Sequence, residues 1–178
     1  MSKPRFVVLA CMILAAAFSR LIPHPPNVAS ITAVALFGGA YLSDKRLAFL
    51  VPMAALFISD LALGLYSHME VVYGSFALVV GIGLLLRRSR TPLAIGGAAL
   101  ASSVLFFVIT NFGVWFFGSL YPKTTAGLLA CYVAAIPFFQ NTLSGDALYT
   151  VALFGGFSLA VKWWPALREP TLVRSQPV

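Results

Sequence analysis

Residues 20–66 read RLIPHPPNVASITAVALFGGAYLSDKRLAFLVPMAALFISDLALGLY. Pro23, Pro25 and Pro26 open the stretch, an apolar run covers 28–43, Asp44-Lys45-Arg46 interrupts, and a second apolar run covers 47–66. Proline lacks an amide donor and restricts the residue before it, so a helix arriving from the N-terminal side ends at Pro23. Apolar runs turned back by a charged triplet are what repeated bilayer crossing requires, since about 20 mostly apolar residues cross about 30 Å of hydrocarbon.

Working outward, the same reading gives segments at 5–22, 70–86, 93–118 and 143–162. Ser67-His68, Arg87 to Thr91 and Tyr121-Pro122-Lys123 form the breaks between them. Of 178 residues 60% are hydrophobic and 10% charged, with a mean hydropathy of +0.93. A soluble domain carries about 25% charged residues, and one this small has too little interior to hide so much apolar surface. The predicted fold is therefore all-α, a membrane bundle of about six transmembrane helices. It forms a single domain over 1–165, followed by a cytoplasmic tail over 166–178. Residues 1–22 have the layout of a signal peptide, with Lys3 and Arg5 before an apolar core, but are read as the first, retained helix.

Residues 125–140 (TAGLLACYVAAIPFFQ) are apolar yet only 16 long, with Pro137 near the end. They are expected to form an extra short outer or re-entrant helix. Cytoplasmic loops are enriched in Lys and Arg. With six spans and the N-terminus inside, ten cations lie inside and two, Arg20 and Lys123, outside; if 125–140 also crossed, the split would be seven to five. Both termini are thus expected in the cytoplasm and the protein in the bacterial inner membrane. The net charge of +7 sits in short clusters between apolar runs, with no basic helix face, so no nucleic-acid partner is expected. Cys11 and Cys131 form no CxxC pair or metal spacing, and no disulfide between them is expected.

Ionisable groups embedded in lipid are costly and mark pairing or function. Arg20, Asp60, Asn111 and Asp146 all fall in the expected outer half, with no embedded charge expected in the inner half. His24, Asn27, Tyr66, His68, Glu70, Tyr73, Trp115, Tyr121, Lys123, Tyr132, Gln140, Asn141 and Tyr149 surround them as a polar and aromatic rim. Structural readings stand beside this one. Arg20 with Asp60 or Asp146 serves equally as an ion pair pinning helices, Asp146 as a group favouring a helix N-terminus, and Trp115 and Tyr121 as an interfacial belt. Small residues at four-residue spacing, Ala35-Gly39-Ser43 and Ala15-Ser19, suit close helix packing. No HExxH, GxSxG or Walker loop is present, so an enzyme is not expected, nor a cofactor or resident metal. A free pore is not expected either, because polar residues do not continue through the full thickness.

The stretch 20–66, with Thr110-Asn111-Phe112-Gly113-Val114-Trp115, Leu120-Tyr121-Pro122-Lys123-Thr124, Ile136-Pro137-Phe138-Phe139-Gln140-Asn141-Thr142-Leu143 and Gly145-Asp146, resembles a family of small bacterial membrane proteins. That family in turn resembles the substrate-binding S components of energy-coupling-factor vitamin transporters, including the solitary cobalamin carriers. The resemblance implies a vitamin or related micronutrient bound near the outer face. It implies as partner either a coupling module of one membrane subunit and two ATPases, or none for a solitary carrier. It places Pro26-Asn27 in the first binding loop, and Asn111, Trp115 and the 120–142 region in the outer wall and lid. The docking motif of S components on their module is approximated only by Ala15-Ser19.

The expected function is a substrate-binding uptake subunit. Arg20 and Asp60 would form a charged floor, Asn27, Asn111, Gln140 and Asp146 would supply hydrogen bonds, and Trp115, Tyr121 and Tyr149 apolar walls. The alternatives are a non-catalytic accessory or assembly subunit of a larger membrane complex, and a membrane enzyme of unrecognised type.

Overall fold

A computed structural model describes residues 1–169. Every regular element among them is helical: α1 (Lys3–Phe18, extended by a 3₁₀ turn, Ser19–Leu21), α2 (Ile31–Tyr41), α3 (Lys45–Leu63), α4 (Met69–Leu86), α5 (Pro92–Phe117), α6 (Thr125–Thr150) and α7 (Gly156–Trp163). A π-helical turn, Val151–Gly155, joins α6 to α7 without a break. Five helical stretches are long and apolar enough to cross a bilayer: 3–21, 45–63, 69–86, 92–117 and 125–163. The chain is a multi-pass membrane bundle. Its two ends meet on one face, where Ser2 Oγ donates to the Ala166 carbonyl at 3.2 Å. That face is the terminal face below, and its opposite the distal face.

The span expected at 28–43 is corrected. Only Ile31–Tyr41 is helical, about 16 Å at 1.5 Å per residue, half of what a crossing needs. The distal half of this pass is extended chain. A turn at Pro25–Val28 (Val28 N–H to Pro25 O, 3.1 Å) puts Asn27 at a φ of 64°. Asparagine tolerates that left-handed conformation better than most residues. Non-helical backbone at membrane depth survives only inside protein or beside a water-filled cavity, and Ser30 is accordingly buried, donating from Oγ to Ala16 O at 2.5 Å.

Every residue of α2 from Thr32 to Ala40 is buried. Small side chains let its neighbours close in. Gly39 crosses Gly83 of α4 so tightly that a Cβ on Gly83 would lie 2.9 Å from Gly39 Cα. A Cβ on Gly38 would collide with the Pro52 ring of α3. The last carbonyls of a helix have no partner within it. Here Arg87 supplies the donors: its Nε binds Gly39 O at 2.9 Å, Nη1 binds Ser43 O at 3.0 Å and Nη2 binds Leu42 O. The cation also suits the negative end of the helix dipole. Asp44 then caps α3, its Oδ1 accepting from Arg46 N–H at 2.7 Å.

The short outer helix expected at 125–140 is also corrected. Residues 125–163 form one continuous helical stretch of 39 residues, about 58 Å long, capped by the Thr124 side chain accepting from Gly127 N–H. Pro137 lies inside it, where a missing amide bends rather than ends a helix held by tertiary contacts. Because this stretch crosses once, six passes and a shared face for both termini hold. The expected tail at 166–178 begins as docked structure: Leu167 is buried, and Arg5 Nη1 donates to its carbonyl at 2.5 Å. Residues 170–178 lie outside the described ones.

The α2–α4 crossing gives a paired test within one helix. Gly83→Ala should lower stability by about 1–3 kcal/mol through overpacking. Gly81→Ala, with open space around it, should leave it unchanged or raise it by up to about 1 kcal/mol. Thermal unfolding in detergent distinguishes the two.

Candidate functional site

Where α2 begins, the centre of the bundle empties. A cavity of about 290 Å³ lies on the distal side of its first turn, bounded by Asn27, Ala29, Ile31 and Thr32, by Val72 of α4, and by α5 and α6. The geometry of α6 opens it. Cys131 Sγ donates to Asn111 O at 3.5 Å, and Ser103 Oγ to Asp146 Oδ2 at 2.6 Å. Between those contacts α5 runs eight residues and α6 fifteen, or about 12 Å against about 22 Å. The two helices therefore run out of step with each other, and space is left between them. Beyond Pro137, α6 meets the extended chain, where Asn141 Nδ2 donates to Pro26 O at 2.9 Å. At Gly145 a Cβ would stand 3.0 Å from the Ala29 nitrogen, so glycine permits this contact.

The walls are aromatic and aliphatic: Phe106, Phe107 and Val114 from α5, and Ala135, Phe138 and Phe139 from α6. Thr110, Asn111 and Thr142 add polar groups, but each is back-bonded to its own helix, at 2.7, 2.8 and 3.2 Å respectively. The Asn111 amide nitrogen is thereby engaged and its oxygen left to accept. Asn27, Val114 and Phe138 are exposed at the rim.

Asp146 is the only ionisable residue lining the cavity among the described residues, and it is 2% exposed. Ser103 Oγ holds Oδ2, and Oδ1 has no donor at close hydrogen-bond geometry, with the Thr32 hydroxyl and the Ala33 amide as its neighbours. The carboxyl group lies beside Thr32 and the Ala33 amide, at the positive end of α2, where an anion is favoured. A buried carboxylate oxygen without a donor is costly. The arrangement can accept a donor, and a cationic one most strongly.

The expected site residues divide. Asn27, Asn111 and Asp146 share the cavity. Arg20 and Asp60 do not line it. They face each other between α1, α3 and α4, with Arg20 Nη1 2.7 Å from Asp60 Oδ1 and aimed at Ser59 Oγ at 2.5 Å, while Tyr73 OH donates to Asp60 Oδ2 at 2.9 Å. Ile31 stands between pair and cavity, touching both spaces. Trp115 Nε1 donates to Pro122 O at 2.9 Å, closing the α5–α6 turn, with Lys123 against the indole ring and Tyr121 half-buried beside it. Tyr149 hydroxyl lies 2.6 Å from Ser19 Oγ, tying α6 to α1. Gln140 is exposed on α6. The expectation of an uncharged interior near the terminal face fails at Arg5, which is 3% exposed. Cys11 and Cys131 are both free, one exposed and one buried.

Reading the sequence for charge missed the site's aromatic residues. Helical spacing shows them: 103, 106, 107, 110, 111 and 114 share one face of α5, and 135, 138, 139, 142 and 146 one face of α6.

Residues 1–167 match the model of a family of unknown function (DUF6580), and the chain belongs to that family. No curated protein and no solved structure matches it.

If Arg20 and Asp60 form a structural pair, Arg20→Met and Asp60→Leu should each lower stability by about 3–5 kcal/mol, and the double variant should recover most of the loss. Additive losses in thermal unfolding would contradict the pairing.

Proposed function

We propose that this family member is the substrate-binding subunit of an uptake system, taking a small amphipathic micronutrient into the cavity above α2 from the distal face. The observation that carries the reading is the buried carboxyl group of Asp146 at the floor of an aromatic-walled hollow. Binding sites are typically apolar cavities with a few convergent polar groups, and this one offers a single carboxyl group. Its complement is a small heteroaromatic or aliphatic molecule carrying an amine, a cationic ring or an N–H donor. The carbonyl oxygen of Asn111 and the Asn27 side chain would hold the polar edge nearer the mouth.

Side assignment follows from charge. Among the described residues, Lys3, Arg5, Lys45, Arg46, Arg87, Arg88, Arg90, Lys162 and Arg168 belong to the terminal side, against Arg20 and Lys123 on the distal side. Cytoplasmic enrichment in cations makes the terminal face cytoplasmic and opens the cavity to the periplasm of a cell whose inner membrane holds the protein. The likeness to S components points to the same side and the same class of ligand. Size favours the smaller members of that class over cobalamin, since sites for drug-sized ligands begin at about 300 Å³ and this cavity measures about 290 Å³. On α1 the Ala15–Ser19 pair is no free docking stripe, because Ser19 is bonded to Tyr149. The reading therefore concerns the binding step, with no catalysis.

Thermal unfolding of the detergent-purified protein against a panel of vitamins and small heteroaromatic amines tests this. A true ligand at a hundred times its Kd should stabilise by about 2.7 kcal/mol. Asp146→Asn should weaken a cationic ligand by about 10–100-fold. Asn27→Gly, which keeps the positive φ, should cost affinity but not fold. If no compound stabilises the protein, the carrier reading fails and an accessory-subunit role gains.

A further inference from the structure

The terminal face holds a second hollow, of about 260 Å³, lined by Arg5, Tyr41, Arg90, Phe157, Arg168 and Glu169 among others. It lies at the opposite end of the bundle from Asp146 and does not depend on the uptake reading. Its charges do not balance: three guanidinium groups face one carboxylate. All the ion-pair contacts converge on one oxygen. Glu169 Oε1 lies 3.0 Å from Arg5 Nη2 and 3.2 and 3.3 Å from Arg90 Nη1 and Nη2.

The donors are only half used. Arg5 is 3% exposed, yet its Nε has no partner among the described residues, and the same holds for the buried Nε of Arg90. Arg5 Nη1 is committed to Leu167 O. The remaining Nε–Nη2 edge, which presents two parallel N–H groups, therefore grips a carboxylate by one nitrogen alone. Ring faces hold both guanidiniums in place: Arg5 Cζ lies 5.1 Å from the Phe157 centroid and Arg90 Cζ 4.7 Å from that of Tyr41. Planar guanidinium edges held beside aromatic rings, with two positive charges in excess, match the several acceptor oxygens of a phosphate group better than one carboxylate.

We propose that this hollow is a phosphate-binding site on the terminal face, and that Glu169 is its displaceable internal occupant. The phosphate would engage the Nε–Nη2 edge of Arg5 and the guanidinium of Arg90, with Arg168 adding charge. Two sources present this chemistry: the headgroup of an anionic phospholipid, for which the exposed Trp163 and Trp164 nearby give an interfacial setting, and phosphate free in solution.

The test uses the full chain and two probes. One is inorganic phosphate titrated against chloride at constant ionic strength; the other is phosphatidylglycerol titrated into phosphatidylcholine nanodiscs, with bound lipid counted by native mass spectrometry. Binding of either probe to the wild type is expected, and which one binds names the source. Arg90→Gln should weaken binding about tenfold or more, and Arg5→Gln likewise where it folds. Glu169→Gln, at a half-exposed position, should strengthen it about three- to tenfold by removing the competitor. A non-specific basic surface would show no such opposed effects. The proposal is overturned if neither probe binds the wild type or Glu169→Gln, or if Arg90→Gln and Glu169→Gln both leave binding unchanged.

Discussion

An eleven-residue helix enclosed by its neighbours has terminal backbone groups that no intrahelical bond meets, and the rest of this molecule is arranged around that constraint. The C-terminal carbonyls of α2 are met by Arg87, which reaches across from the end of α4. Its N-terminal turn faces the Asp146 carboxyl of α6, which lies beside Thr32 and the Ala33 amide. Opposite charges at opposite ends both act with the helix dipole. The glycines at 38, 39 and 83 let α3 and α4 come close enough to bury it.

A central helix that stops short leaves the distal half of the bundle without a core. Extended chain at 28–30 and the second half of α6 take its place, and they do so incompletely. The cavity is what remains. The carboxyl group beside the first turn of α2 is also the one ionisable group that lines that space among the described residues. Asp146 therefore links the position of α2 to the chemistry of the hollow above it. The Arg20–Asp60 pair, on the other side of Ile31, has both charges matched and serves to join α1 to α3.

Much of this was legible in the sequence. Proline and charge breaks placed α1, α3, α4 and α5 to within a few residues, and the side on which cations gather follows from counting. Hydropathy does not separate helix from extended chain when both are buried, so 28–43 read as one span although only 31–41 is helical. Residues 125–140 read as a separate short helix because Pro137 usually ends one; bonds from Tyr132 and Cys131 to α5 carry the helix through. Of the polar residues expected at a site, Asn27, Asn111 and Asp146 line the cavity, and polarity alone points to them. It could not tell that Asp60 meets Arg20 rather than a ligand, since pairing depends on how helices rotate against one another. Counting charges places Arg5 on the terminal side but cannot show it buried, because that depends on the chain after α7 folding back over it.

The central claim is that the hollow above α2 opens on the distal face and is closed toward the terminal face. Thiol labelling in sealed vesicles of known orientation tests it most directly, with Thr142→Cys introduced into a chain whose Cys11 and Cys131 are replaced by serine. A small membrane-impermeant maleimide should modify Thr142→Cys from the distal side and not from the terminal side. Failure to label from the distal side, or equal labelling from both, would contradict the account.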